Sequence, residues 1–432
     1  MIVLDAGVTL GRGFVGLGIV LFLVAFLILR SKLAHLPIWT AMAFSSFVTI
    51  ATGLVQFDEI GFVIDMDVVL FLIGMFSLVS LAESSGLLSA LSAWYISKFK
   101  SRYRLIYASS FLFGLLSAFA VNDTVALMGP AIAYTISRAA DLNPKFMFLL
   151  LAYSLTIGSV MTPIGNPQNV LVAIQSGIPA PFVLFSKKLA VPTLVNLAIL
   201  SYVLIKIFKI ENGSINVVLV PQEFIRDRRD SILAAAALTT AVTALVINDL
   251  LEFLSLPHLT HRGFIPFVVA AGIYLLARNP RRVLAGVDWG TIIFFITMFI
   301  TMEGVWRSGV LTPLLSHLVP AKLGSFEGIV AVVLSSLFLS QVLSNVPFVK
   351  LFIEFLKDLG YGPSDTNVWI ALAASSTIAG NLTILGAASN IIILETLETK
   401  MNTTISFTEF LKVGIVITAV NTAVYTSFIL LI

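Results

Sequence analysis

Residues 146–186, forty-one in a row, carry no charge, yet their centre reads "SVMTPIGNPQNVLVA". The flanks are apolar enough to span a membrane, but 162–169 holds two prolines, a glycine, two asparagines and a glutamine. As one straight helix, 146–177 would be about 48 Å long, too long for a simple crossing of a roughly 30 Å hydrocarbon core. Pro163 and Pro167 each remove a backbone donor and disfavour helix just before them, and Gly165 permits positive φ. The spacing therefore predicts a helix broken at about 162–168. Amides freed by such a break suit an oxyanion or hydroxyl group, and freed carbonyls suit a cation. Thr162, Asn166, Gln168 and Asn169 add neutral donors and acceptors.

A soluble globule cannot be built round such a stretch. Of 432 residues, 58% are hydrophobic and 11% charged, with mean hydropathy +1.01. Soluble domains carry about 25% charged residues. Too little polar surface remains to cover a globule, so the composition predicts an all-α polytopic membrane protein. The net charge of +3 is small, and basic residues cluster in short loops, as the positive-inside rule requires, not in a nucleic-acid patch. The chain has no cysteine, which excludes disulfides, thiol chemistry and Cys-ligated metals. The apolar run 14–29 lacks a basic leader and a prompt cleavage site, so it reads as a first span and not a signal peptide.

Apolar segments of spanning length lie at 14–30, 36–56, 66–83, 146–177, 183–208, 231–251, 263–278, 288–305, 368–394 and 407–431. The charged segment 211–230 reads as a cytoplasmic linker between halves 1–210 and 231–432. Those halves repeat. "MDVVLFLIGMFSLVS" (66–80) parallels "VDWGTIIFFITMFIT" (287–301), and "AVNDTVALMGPAI" (120–132) parallels "VLSNVPFVKLFIE" (342–354). "SLTIGSVMTPIGNPQN" (154–169) parallels "SSTIAGNLTILGAASN" (375–390), all at offsets of 221–223 residues. Loop charge orients them. Arg30 and Lys32, then Lys98 to Arg104, Arg138 and Lys145 mark the inside, while Asp58, Glu59, Asp65 and Asp67 fall outside. In the second half "ARNPRR" (277–282) precedes the span whose counterpart follows that acidic loop. The halves are therefore expected to be inverted repeats of about five transmembrane helices each, an arrangement typical of secondary transporters. Lys187 and Lys188 would lie outside, against the rule.

Two further apolar stretches, 105–137 and 328–356, have polar centres and read as re-entrant hairpins. The first carries Asp123 at "VNDT", and an intramembrane carboxylate is a functional candidate by default. The second carries "LSNVP" with no acid at its tip, and Lys350 and Glu354 four residues apart as an expected ion pair. The partner of the opening stretch, 380–390, breaks by glycine, with Gly380, Asn381, Thr383, Gly386, Ser389 and Asn390 as its polar or flexible positions. Glu83 and Glu303 are expected near the interface, Arg307 neutralising the latter, and 84–100 and 308–320 as surface-lying helices. His35, His258, His261 and His317 lie near span ends and do not make a metal site.

"TPIGNPQN", "VNDTVALMGP", "SNVP" and "STIAGNLTILGAASN", in that order, resemble the ion transporter superfamily, in its arsenite permease and NhaD-type branch. That branch includes silicon-efflux permeases, and citrate and dicarboxylate–sodium symporters are more distant relatives. The resemblance implies hairpins and broken helices meeting at one site, an elevator-like motion, and often a homodimer. The family's Ser-Asn-Thr tips map onto Asn122-Asp123-Thr124 and Ser344-Asn345-Val346, neither a full match to the sodium–dicarboxylate pattern. The expected substrate-binding set is thus Asn122, Thr124, Thr162, Gly165, Asn166, Asn169, Ser344, Asn345, Thr383, Gly386, Ser389 and Asn390. Asp123, Asn166 and Asn390 are expected to carry the coupling proton, or sodium in the alternative.

The resulting expectation is a plasma-membrane secondary transporter, a proton-coupled antiporter exporting arsenite, antimonite or a similar small oxyacid. Two carboxylates beside Asp123, with no base at the tips, would be poorly compensated. The alternatives are an NhaD-type Na+/H+ antiporter and a sodium-coupled carboxylate transporter. No HExxH, nucleotide-binding loop or nucleophile–His pair points to an enzyme, and no cofactor is called for. An ATPase partner is left open by the sequence.

Overall fold

The computed structural model describes residues 2–29, 36–215, 220–319, 321–322, 324–401 and 403–431. The orienting pair Arg30 and Lys32, together with His35 and linker residues 216–219, lie outside them. The described residues are almost wholly helical, with no strand among them beyond an isolated bridge, Ser101 to Ser214. Among the described residues, eight helices are long and apolar enough to cross a membrane.

The first half runs α1 (Ile2–Leu29), α2 (Ile38–Ala51), the single turn α3 (Ile60–Val63), α4 (Met66–Ser84) and α5 (Leu87–Ile96). It continues with α6 (Arg102–Ala120), α7 (Asn122–Ala139), α8 (Pro144–Ser159), α9 (Pro167–Gln175) and α10 (Pro181–Ile207). The second half runs α11 (Arg228–Phe253), α12 (Phe264–Leu276), α13 (Pro280–Ala285), α14 (Trp289–Arg307) and α15 (Thr312–Leu318). Then come α16 (Ser325–Leu343), α17 (Asn345–Asp358), α18 (Thr366–Ile378), α19 (Ala388–Met401) and α20 (Phe407–Leu431).

Two groups of helices pack mainly within themselves. Helices α1, α2, α4 and α11–α14 form one, and α6–α10 with α16–α20 form the other. The second group owes its core to the uncharged stretch. Every residue from 146 to 173 is buried, and so is every residue from 368 to 381. A helix apolar all round must be surrounded by protein or lipid, and here protein covers it. The two groups touch where α4 meets α9, α10 meets α11 and α14 meets α17.

Several boundaries differ from the sequence reading. Helix α2 stops at Ala51, short of 56, because the following chain turns at Gly53, whose φ is +71°. The second break yields α19, which runs to Met401, well past 394. The segment 211–230 is not a free tether. Arg102 N donates to Gly213 O and Arg226 N to Ser85 O, both at 2.9 Å, so its described parts lie against α5 and α6.

Candidate functional site

Both hairpin tips are built alike. Helix α6 ends at Ala120 and α7 begins at Asn122, so the chain reverses at Val121, φ +62°. Helix α16 ends at Leu343 and α17 begins at Asn345, reversing at Ser344, φ +67°. A side-chain-bearing residue in such a conformation costs on the order of 1–3 kcal/mol and persists only where its surroundings enforce it. At the first tip the enforcing contact is Asn122 N donating to Gly165 O at 2.9 Å, which binds the tip to the first helix break.

That break lies two residues earlier than expected. Asn166 caps α9, its Oδ1 accepting from Asn169 N at 2.9 Å, and Pro167 occupies the first helical position, where no amide donor is needed. Pro167 therefore starts a helix instead of breaking one, and the interruption is residues 160–166. Nor does Gly165 supply a positive φ. Glycine is needed there because a Cβ would collide with the Ser159 backbone.

One clamp recurs in both breaks. Asn169 Nδ2 donates to Ser159 O and Thr162 O, both at 3.0 Å. Asn390 Nδ2 donates to Gly380 O at 2.8 Å and Thr383 O at 3.4 Å. Each of these residues lies 221 positions from its counterpart. The surroundings differ. At the first break Thr377 Oγ1 donates to Asn169 Oδ1 at 3.2 Å, and Asn166 Nδ2 reaches Ser159 Oγ and Thr377 Oγ1 at 3.1 Å. Thr162 Oγ1 donates to Ala118 O. At the second break, Asn381 Oδ1 and Nδ2, Ser389 Oγ and Asn390 Oδ1 are buried without a partner. Thr383 Oγ1 turns away to Gln341 Oε1, at 2.8 Å.

The tips and breaks surround a cavity of about 290 Å³. Asn122, Asp123, Ser344, Asn345 and Gly386 line it, beside Pro167, Gln168 and Val346, with Trp39, Phe294 and Phe295 on the opposite wall. Its charged lining residues are the carboxylates Asp123 and Asp288, and no lysine, arginine or histidine lines it among the described residues. Asp288 caps α14, accepting from Thr291 N at 3.0 Å and Thr291 Oγ1 at 2.6 Å. The tips add two buried carboxamide oxygens without a partner, Asn122 Oδ1 and Asn345 Oδ1.

Five of the residues expected from sequence thus reach the cavity. Thr162, Gly165, Asn166, Asn169, Thr383, Ser389 and Asn390 lie behind it and shape the breaks. Thr124 is half-buried on α7, outside the lining. Sequence reasoning did not place Asp288, Thr291 or the aromatic wall there. Asp288 was visible as the counterpart of Asp67 in the repeat, but nothing in the pattern said which way it faced.

At the other end of α14 lies a vestibule of about 1030 Å³, lined by Glu59, Asp65, Asp67, Glu303 and Glu354 against Arg307 and Lys350. Arg307 pairs with Glu303 at 2.7 Å and Glu59 at 2.5 Å, and Lys350 pairs with Glu354 at 2.5 Å, as the spacing suggested. The Arg307 guanidinium and the Gln56 amide hold the Glu59 carboxyl below its usual range. His258, His261 and His317 lie at helix ends or in loops, and no three His, Asp or Glu side chains gather round a metal position among the described residues.

Comparison with known proteins accords with this architecture. Residues 20–365 match the family described as CitMHS, citrate transporter. An uncharacterised transporter of Mycobacterium tuberculosis is 27% identical over 83% of this chain and 84% of its own length. The silicon efflux transporter LSI3 of Oryza sativa subsp. japonica is 25% identical over 65% of this chain and 69% of its own. Among solved structures, the Alcanivorax borkumensis YdaH transporter superposes with a TM-score of 0.53 at 12% identity, covering 83% of this chain and 84% of that one. At that identity the likeness speaks for the fold alone.

Proposed function

The chain belongs to the citrate transporter family, in the arsenite-permease-type branch of the ion transporter superfamily, and on that premise we propose how this multi-pass membrane transporter works. It exports a small neutral oxyacid, such as arsenous, antimonous or silicic acid, in exchange for protons. The two halves act as inverted repeats, and the group containing both breaks moves as a unit against the other, carrying the cavity between the two faces.

The observation that carries this reading is the charge of the cavity. A carboxylate substrate such as citrate would enter beside Asp123 and Asp288 with no basic side chain to offset its charge. Desolvating like charges together is costly. An uncharged polyhydroxide carries no such penalty, and its hydroxyl groups could donate to the unpartnered oxygens of Asn122 and Asn345. Asp123, half-buried in the first turn of α7, is the ionisable group at the tip that can exchange a proton.

Proteoliposomes with an imposed pH gradient test this. Arsenite or silicic acid flux should follow the gradient, citrate flux should be absent, and Asp123→Asn should abolish coupling while leaving passive exchange. Full coupled efflux by Asp123→Asn, or citrate transport at the oxyacid rate, refutes the proposal. One observation favours a second reading, sodium coupling. The unpartnered oxygens of Asn381, Ser389 and Asn390 at the second break are neutral ligands of the kind a sodium ion takes. Sodium-driven proton flux in the absence of any oxyacid would select it.

A further inference from the structure

Helix α10 lacks a cap of its own. Its N-cap is Ala180, held at φ +45° with no side-chain bond, so the first amides of the helix need acceptors from elsewhere. They come from α11. Asp249 Oδ2 accepts from Phe182 N at 2.5 Å and Val183 N at 3.4 Å, and Glu252 Oε2 accepts from Ala180 N at 2.9 Å. Arg262 bridges both acids, its Nε lying 3.3 Å from Asp249 Oδ1 and its Nη2 on Glu252. The Asp249 side chain is fully buried. A third acid, Asp65 at the start of α4, accepts from Gln175 Nε2 at the end of α9, at 2.9 Å. The bonds to α9 and α10 join the group that carries the helix breaks to the group that does not, while Arg262 braces the two acids from within the latter.

We propose that Asp65, Asp249 and Glu252 form a clasp that holds α9 and α10 in this state and must open once per transport cycle. These are positioning residues, which do not touch the substrate. The inference rests on the moving-unit reading above. A helix normally draws its cap from its own chain segment. Borrowing it from a helix of the other group couples the satisfaction of three backbone amides and an amide side chain to one relative placement of the two groups. Displacement strips the α10 amides of their acceptors and leaves Asp249 facing Arg262 alone. Charge-assisted bonds of this kind are strong enough to weight a two-state equilibrium about tenfold or more each.

The absence of native cysteines allows a direct test. Asp65→Cys with Gln175→Cys, joined by a short bismaleimide, ties the ends of α4 and α9 together. Transport should fall at least about tenfold relative to the unjoined double variant, while the same reagent leaves the rate of each single cysteine variant where it stood before treatment. Joined protein transporting at the unjoined rate overturns the clasp.

A second measurement needs no substrate. A single reporter, Val346→Cys, lines the cavity and is labelled by an impermeant maleimide applied to either face. Adding Asp249→Asn should raise labelling from the vestibule face about tenfold, and Asp249→Glu, which keeps the charge, should restore much of the original pattern. Unchanged labelling in Asp249→Asn also overturns the proposal. Failure of the substrate assignment would show separately, as wild-type protein that moves no oxyacid yet responds in the labelling assay.

Discussion

The repeated asparagine clamp makes an unequal pair of mutants. Asn169→Ala removes three hydrogen bonds, to Ser159 O, to Thr162 O and from Thr377 Oγ1. Asn390→Ala removes two, to Gly380 O and Thr383 O, because Asn390 Oδ1 has no partner to lose. At the first break neither carbonyl is stranded, since Asn166 Nδ2 still reaches Ser159 O and Gly165 N still reaches Thr162 O. At the second break Gly386 N still reaches Thr383 O, and the loss of a donor to Gly380 O is offset by removal of the buried, partnerless Asn390 Oδ1, so the cost is about 1 kcal/mol per bond, or roughly 3 against 2 kcal/mol. With an unfolding entropy of about 2.1 cal/mol/K per residue, a chain of 432 residues should lose about 3 °C for Asn169→Ala and about 2 °C for Asn390→Ala. Asn169→Asp should be worse than alanine at neutral pH, because a carboxylate cannot donate to two carbonyls and must face them as an anion in a dry site. Thermal unfolding of the purified protein in one detergent, followed by tryptophan emission, reads all three. An Asn390→Ala loss equal to or greater than that of Asn169→Ala, or wild-type stability in Asn169→Asp, refutes the reasoning.

Two further outcomes are expected. Gly158→Ala should prevent accumulation of folded protein or lower its melting temperature well beyond either clamp mutant, since a Cβ there would strike the Gly114 backbone and force α8 away from α6; gel filtration of the solubilised protein would show it. At Asp365, burial raises the carboxyl pKa, but Lys322 at 2.8 Å and the Gly362 amide at 2.8 Å outweigh it and leave the group below its usual value. Its stabilising contribution is then present above the unfolded-state pKa and lost as pH falls through the folded one. Asp365→Asn should remove that acid-side dependence at a cost under about 1 kcal/mol at neutral pH, because the pair is partly exposed. Melting temperature against pH for the two proteins checks it.

Much was legible in the sequence for physical reasons. A membrane offers backbone groups no partner, so apolar length alone identifies spans, and a polar break within one must be covered by protein. The similar segments at offsets of 221–223 residues pair Asn169 with Asn390 and Asn122 with Asn345. Local chemistry was less decisive. "GNPQN" looks like a helix breaker but contains a cap and a first-turn proline, and that distinction depends on where the preceding helix ends. Gly165 was read for its freedom in φ, whereas it is needed for its missing Cβ, a fact about a neighbouring strand of backbone that no local pattern records.

The sequence by itself determined that this chain is a helical bundle in a membrane with polar interruptions in its apolar stretches, because periodicity, charge and proline chemistry act locally. Only the tertiary structure decided that Asp288 faces the same cavity as Asp123, that the second break keeps oxygens without partners while the first does not, and that α10 takes its cap from α11. Each of those depends on contacts between residues far apart in the chain, and packing, not spacing, selects them.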